Sequence, residues 1–143
     1  MVLLAALFTM LAGATPLEKP AMTVQAPDSP VRLDRAMVFT GSDGPPVLLY
    51  SATNVTDVAL DEFTVIAFVF NAEGTLKARQ TAPGRRTLDA RGTKYSTLVL
   101  DGSPIEPTDQ IVVGVNQAQR VNSDAWWRAD IQAAAEGAAR KKK

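Results

Sequence analysis

The sequence of 143 residues contains no cysteine and no histidine. Without cysteine there is no disulfide framework and no thiol nucleophile, and without histidine the Ser-His-Asp and Cys-His catalytic arrangements are excluded. Zinc and copper sites are excluded as well, because they depend on imidazole or thiolate ligands. The sequence therefore predicts a protein that is not an enzyme, with no metal site and no cofactor. The alternative left open by composition is a hard-metal site made of carboxylates and carbonyls.

An excess of charge of one sign is also missing. Fifteen lysines and arginines balance fifteen aspartates and glutamates, so the formal net charge is zero. A neutral chain has no bulk electrostatic attraction to nucleic acid, which is therefore not predicted as a partner. Hydrophobic residues make up 46% of the sequence, which is typical of a globular protein, and the length suits one domain.

The one long apolar run lies at the N-terminus, over residues 2–11. It is shorter than the roughly 20 residues that a membrane-spanning helix needs, and Ala12-Gly13-Ala14 follows it as a small-x-small cleavage site. Residues 1–14 are therefore predicted to be a signal peptide of a periplasmic or extracellular protein with no stable membrane span after processing. The alternative is a buried first strand or helix.

Residues 15–30 contain four prolines, which remove amide donors and resist regular pairing. This composition predicts an extended arm or linker, with a short edge strand near residues 22–26.

The chain then alternates short apolar runs with turn clusters over residues 31–121, a rhythm typical of a sandwich or barrel. The turn Asn71-Ala72-Glu73-Gly74 suits a hairpin, because glycine accepts a left-handed backbone. The predicted strands cover residues 31–40, 47–53, 62–70, 75–81, 93–100 and 110–117.

The strand at residues 63–70 is apolar on both faces. Alternation sends Phe63, Val65, Ala67 and Val69 to one side and the residues between them to the other. Such a strand is central in its sheet, and a further element must cover its second side.

Residues 122–143 are predicted to form a C-terminal helix with a basic tail. Ser123 can cap a helix, the segment is rich in alanine, and Trp127 starts an apolar stripe with helical spacing. Basic residues at the end complement the helix dipole. The predicted fold is an all-β, immunoglobulin-like antiparallel β-sandwich of about six or seven strands with a C-terminal α-helix.

Several of these residues carry a family resemblance. Asn54 after a strand, residues 63–70 leading into the turn at Asn71, and the stretch from Leu88 through Gly92 to Tyr95 resemble immunoglobulin-like domains of exported bacterial proteins, the FxLYD type in particular. The second half also resembles the corner of fibronectin type III domains. The resemblance implies a β-sandwich, no catalytic residues, and Tyr95 as a corner residue whose hydroxyl bonds nearby backbone.

A basic region between two predicted strands is the first candidate binding site. One interpretation is contact with an acidic partner, a lipid headgroup or an anionic glycan; the other is protective charge on an exposed strand and its loop. Only Asp89 opposes these cations, which are Lys77, Arg79, Arg85, Arg86, Arg91 and Lys94.

The only tryptophans, Trp126 and Trp127, are the second candidate. They can dock the helix onto the sandwich, or stack against sugar rings or a partner protein.

Two weaker patterns are interpreted as structural, and neither is predicted to be a catalytic or metal-binding site. Lys94 and Ser96 share a strand face, as a Ser–Lys dyad requires, but nothing predicts that the lysine is buried. Four acidic residues could supply ligands for calcium, but their spacing matches no known calcium-binding loop. They are Asp57, Asp61, Glu62 and Asp101.

The sequence thus favours a non-enzymatic exported binding or assembly module, with a protein or another cell-envelope component as its partner. The alternative function is a cell-wall or glycan-binding domain that uses the basic region or the tryptophans.

Overall fold

A computed structural model describes residues 17–41, 43–82 and 86–142. The predicted signal peptide and Arg85 lie outside the described residues. The elements are β1 (Leu17–Pro20), β2 (Met22–Val24), β3 (Val31–Thr40), β4 (Val47–Asn54), β5 (Leu60–Phe70), β6 (Leu76–Thr81), β7 (Thr93–Val99), β8 (Gln110–Arg120), β9 (Ala125–Trp127) and α1 (Ile131–Lys141).

The strands form two facing sheets. The four-stranded sheet has the order β1-β3-β4-β7, and the five-stranded sheet has the order β2-β8-β5-β6 with β9 also paired to β8. All neighbours are antiparallel except β2 and β8, which are parallel. The fold is an all-β, immunoglobulin-like sandwich with a C-terminal helix, as the strand rhythm predicts.

Strand β5 has the two apolar faces that its sequence predicts. Phe63 and Val65 lie in the main core between the sheets, whereas Phe68 and Phe70 belong to a second cluster on the outer side. The helix covers that second cluster through Ile131 and two buried alanines further along. The need for a covering element, inferred from alternation alone, is confirmed.

The hairpin between β5 and β6 is also confirmed. Gly74 has a φ of 87°, the left-handed backbone that favours glycine. Its N–H donates to the carbonyl of Asn71 over 3.0 Å, and the Asn71 side chain accepts from the N–H groups of Glu73 and Thr75. These bonds fix the turn and bring β6 back onto β5.

The proline-containing segment pairs more extensively than an arm or linker would. β1 pairs with β3 in one sheet, β2 pairs with β8 in the other, and the Ala21 N–H between them donates to the Ala36 carbonyl over 3.0 Å. Pro20 ends β1 at the sheet edge, where a missing N–H is tolerated. Residues 17–24 therefore belong to the sandwich.

The C-terminal helix begins later than predicted. Residues 125–127 form β9 on β8, and the helix starts only at Ile131, with Asp130 before it. Asn122 has a φ of 54°, so the chain reverses at a turn where a helix was expected to start at Ser123. β2 pairs with only the first part of β8, and the later part of β8 provides the backbone partners for β9. The periodicity of the C-terminal sequence does not show that these partners exist.

Candidate functional site

The outer face of the four-stranded sheet exposes apolar side chains in the part of the chain that the structure describes. Alternation points Leu48 and Leu98 inward to the core and points their neighbours Leu49 and Val99 outward. Cross-strand register then arranges the outward side chains in three rows: Arg35, Ser51 and Tyr95; Pro20, Met37, Leu49 and Thr97; Glu18, Phe39, Val47 and Val99.

Four of these side chains keep a large exposed fraction: Phe39 at 38%, Leu49 at 37%, Val99 at 43% and Tyr95 at 71%. Over β4 the rows enclose a shallow concavity of about 470 Å³, which we call the β4 groove. The residues that line it are Arg35, Ala36, Met37, Phe39, Leu49, Tyr50, Ser51 and Tyr95. The floor lies on a central strand, and the walls come from the strands on either side.

One cation stands at the end of the β4 groove. Arg35 is exposed and makes no ion pair with any described residue, whereas Arg32 nearby is paired with Asp34. Burial acts to raise the pKa of Asp34, but hydrogen bonds from Thr53 and Arg32 and the charge of Arg32 lower it overall. The Asp34 carboxylate is therefore held by other groups, and Arg35 remains available to an external anion.

The exposure of Tyr95 differs from the expected role of a corner residue. Its ring lies on the outer face of β7, opposite Ser51, and forms one wall of the β4 groove. A corner tyrosine would be packed against the backbone that its hydroxyl bonds. The side chain points outward because β4 and β7 pair in continuous register, which fixes the alternation.

The first two cations of the predicted basic region reach different elements. Lys77 is half-buried and forms an ion pair with the fully buried Asp109, whereas Arg79 donates to Gln132 of α1 over 3.1 Å. The pairing of β5 with β6 shifts register at Lys77, so the simple alternation that would align the two side chains is broken. They do not form one shared surface.

Arg86 and Arg91 of that region also bind within the chain. Arg86 donates to the Thr97 carbonyl over 3.2 Å, and its Nε is buried. Arg91 pairs with Asp57 over 2.8 Å in an exposed contact. Arg85 lies outside the described residues.

Lys94, which shares a strand face with Ser96, does not have the environment that a catalytic lysine requires. Lys94 is exposed and donates to the Thr87 hydroxyl over 3.0 Å. A lysine base needs a desolvated ammonium, and this one is solvated. Among the described acidic residues, no group of three or more is arranged to hold a metal ion.

The two tryptophans lie on β9 and not on the helix. Trp126 packs against the main core and donates through Nε1 to Asp28 over 3.0 Å. Trp127 points the other way and is 65% exposed. The expected docking role thus belongs to Trp126 alone, acting from a strand, and only Trp127 presents a ring to solvent.

The β4 groove is a site that the sequence reasoning missed. Its signal is the pattern at residues 47–50, where Val47 and Leu49 are apolar in one phase while Leu48 and Tyr50 are apolar in the other. As at β5, both faces of β4 are apolar. Unlike β5, no described element covers the outer face.

Comparison of the chain with protein-family models, with curated proteins and with solved structures finds no match. Within the described residues, no helix has the length and hydrophobicity that crossing a membrane requires.

Proposed function

We propose that this protein is an exported, non-enzymatic binding module whose β4 groove takes an extended segment of a partner protein, with apolar side chains beside a carboxylate. The observation that carries the proposal is the exposed apolar lining of the groove, with Arg35 at its end making no ion pair to any residue that the structure describes. Both parts of the partner's chemistry follow from that lining.

The apolar part follows from the three rows of side chains. In an antiparallel sandwich the solvent-facing side of a sheet is normally polar, and a contiguous apolar patch marks an interaction surface. Here Met37, Phe39 and Leu49 are neighbours across two strands. Burying them against a partner would remove apolar area from water, which stabilises the complex by roughly 25 cal/mol for each Å² buried.

The acidic part follows from Arg35. A guanidinium presents several N–H donors in a planar fork that matches the two oxygens of a carboxylate. Because Arg35 borders apolar side chains and Ser51, a carboxylate next to an apolar residue could satisfy both at once. Opposite charge also raises the association rate and selects against basic partners.

The sheet presents the groove in a fixed geometry. β4 is paired on both sides, with β3 and with β7, so its backbone is held along the whole length of the groove floor. A preorganised surface loses little conformational freedom on binding, which leaves more of the contact energy as affinity.

Selection from a displayed library of random peptides against the immobilised protein tests this proposal. We expect the enriched peptides to share aromatic or aliphatic residues next to an aspartate or glutamate. Their binding should fall about tenfold or more in Arg35→Glu, because like charges would then face each other. Arg140→Glu, the same change at the exposed end of the helix, is the matched control and should bind as the wild type does.

Enrichment of basic peptides would contradict the proposal. So would binding that Arg35→Glu and Leu49→Asp leave intact, because the peptides would then occupy a different surface.

Exposed Trp127 favours the alternative, a glycan-binding surface, as a second candidate. An indole with one open face can stack on a sugar ring, and 65% of this side chain is exposed. Binding of soluble peptidoglycan fragments that is lost in Trp127→Ala and kept in Leu49→Asp would support it. Equal fragment binding by the wild type and Trp127→Ala would remove it.

A further inference from the structure

Two edge strands border the same side of the sandwich, β6 in one sheet and β7 in the other. The β6 edge has a register shift and carries the charged Arg79, two features that protect an edge against pairing. The β7 edge is in continuous register over seven residues, and Lys94 is its only charged residue. We propose that the β7 edge pairs, antiparallel, with the β7 edge of a second copy of this chain.

Hydrogen bonds at both ends of β7 show which of its backbone groups point to β4 and which have no sheet partner among the described residues. The Gly92 carbonyl accepts from Asn54 over 2.9 Å, and the Leu100 N–H donates to Pro46 over 2.8 Å. Gly92 and Leu100 both direct their backbone groups to β4. The direction of the backbone groups alternates from one residue to the next along an antiparallel strand, so the even-numbered residues of β7 face β4. Four odd-numbered residues direct N–H and C=O groups to the open edge: Thr93, Tyr95, Thr97 and Val99.

The odd-numbered positions of the outward backbone groups are compatible with a two-fold axis through the middle of β7. Pairing all seven residues of two antiparallel copies requires the register centred on Ser96, the fourth of the seven. In that register Tyr95 opposes Thr97 of the second copy, and Thr93 opposes its Val99. All four of these positions point their backbone groups outward, so the full set of edge hydrogen bonds can form.

The side chains are also compatible with the axis. Lys94 would oppose Leu98 of the second copy, and the two Lys94 ammonium groups would lie four positions apart along the strands, about 14 Å. That separation exceeds the roughly 8 Å over which exposed charges act at physiological ionic strength. On the outer face the two Tyr95 rings, now 71% exposed, would be diagonal neighbours within reach of each other.

Arg86 moderates the pairing without preventing it. Its guanidinium already donates to the Thr97 carbonyl at the open edge. A carbonyl oxygen has two lone pairs, so Thr97 can still accept from Tyr95 of the second copy. The pairing would join the two four-stranded sheets into one, with a β4 groove on each half.

Sedimentation equilibrium of the purified protein tests the inference with two matched variants. Thr97→Pro removes an N–H at the open edge of β7, and Thr81→Pro removes one at the open edge of β6. Thr81 faces away from β5, because the next residue, Ala82, donates to Val65 over 2.9 Å. Neither substitution breaks a bond within a sheet, and proline is tolerated at such edge positions.

We expect the wild type and Thr81→Pro to change from one chain to two as concentration rises, and Thr97→Pro to dimerise about tenfold or more weakly. A wild type that stays monomeric to millimolar concentration would overturn the inference. Equal weakening by both prolines would overturn it as well.

Amide hydrogen exchange in the unmodified protein gives a test that does not depend on how the variants fold. The Tyr95 N–H should become slower to exchange as concentration rises, and the Arg79 N–H at the other edge should not. A Tyr95 rate that is independent of concentration would contradict the pairing. Because the inference rests on the edge and not on the groove, a monomer that still selects acidic, apolar peptides would leave the proposed function standing.

Discussion

Among single residues, Asp109 carries the only fully buried carboxylate in the ion pairs described. Its Oδ2 accepts from Lys77 and, over 2.8 Å, from the N–H of Glu106. Lys77 also donates to the Pro104 carbonyl over 3.0 Å, so it ties β6 to the loop that precedes β8. A buried carboxylate is tolerated only when it is paired in this way, and Lys77 is therefore a structural cation.

We expect Asp109→Ala to lower the free energy of unfolding by about 3 kcal/mol, because it removes the carboxylate that pairs with Lys77 and accepts from the Glu106 N–H. Chemical denaturation measures the change. Asp57→Ala is the control: Asp57 pairs with Arg91 at the surface, where its side chain is 84% exposed, and its removal should leave the denaturation midpoint unchanged. An unchanged midpoint for Asp109→Ala would show that the buried pair contributes nothing.

Tyr50 gives the fold a dependence on alkaline pH. Burial raises the pKa of its phenol, and Arg86 and Ser96 offset this only in part. Below about pH 10 the phenol is protonated in the folded and the unfolded chain alike. Above it the unfolded chain ionises first, so the free energy of unfolding falls as pH rises through the folded pKa.

The corresponding test compares the wild type with Tyr50→Phe, which cannot ionise. Between about pH 9 and pH 11 the wild type should lose more unfolding free energy than the variant does. Parallel pH curves for the two proteins would mean that the phenol titrates normally.

For whole elements, the approach of the helix to the five-stranded sheet depends on Gly114. A Cβ at this position of β8 would lie 2.9 Å from Cδ1 of Ile131 and 3.0 Å from Cγ2 of Val24. Both contacts are closer than real Cβ atoms tolerate comfortably. The absence of a side chain therefore lets α1 and β2 lie against β8.

Gly114→Ala should lower the free energy of unfolding by about 1–3 kcal/mol, because Ile131 or Val24 must move. Gly137→Ala is the counterpart within the helix. Its Cβ would meet nothing within 4 Å, so it should stabilise the protein by about 0.5–1 kcal/mol. Thermal unfolding of both variants gives the comparison. Stability changes of the same sign would contradict this packing.

The sequence predicts some of these elements better than others for identifiable reasons. β3 is predicted at its observed bounds, because Val31 and Leu33 alternate with polar residues and the apolar run at residues 36–39 continues the strand to the turn that follows it. β1 and β9 were not predicted, since segments of three or four residues hold too few positions for a periodic signal. The helix start was wrong because β9 forms on an open length of β8, which only tertiary structure reveals.

The candidate site was less accessible from sequence for a related reason. Residues 47–50 show that both faces of β4 are apolar, but β5 has the same pattern and its outer face is covered by α1. Only the order of the sheets shows that the helix lies on the β5 side. The sequence also does not show that Lys77 and Arg79 are separated in the fold, because the register shift at Lys77 has no local sequence signal.

The molecule as a whole has two unlike faces. The five-stranded sheet is covered on its outer side by α1, whereas the four-stranded sheet presents the β4 groove and the neighbouring β7 edge. Arg79 of the predicted basic region and Trp127, which the sequence offered as binding residues, lie on strands of the five-stranded sheet. The central claim is therefore that partner contact occurs at the β4 groove.

Photo-crosslinking in the cells that produce the protein tests this claim most directly. A photoreactive residue is placed singly at Leu49 in the β4 groove, at Arg79 in the basic region, at Trp127 on β9, and at Ala133 on the exposed face of the helix as the control. We predict covalent partner adducts at Leu49 alone, through peptides in which apolar residues adjoin an aspartate or glutamate. Adducts at Arg79 or Trp127 with none at Leu49 would contradict the account and place the binding surface on the other side of the sandwich.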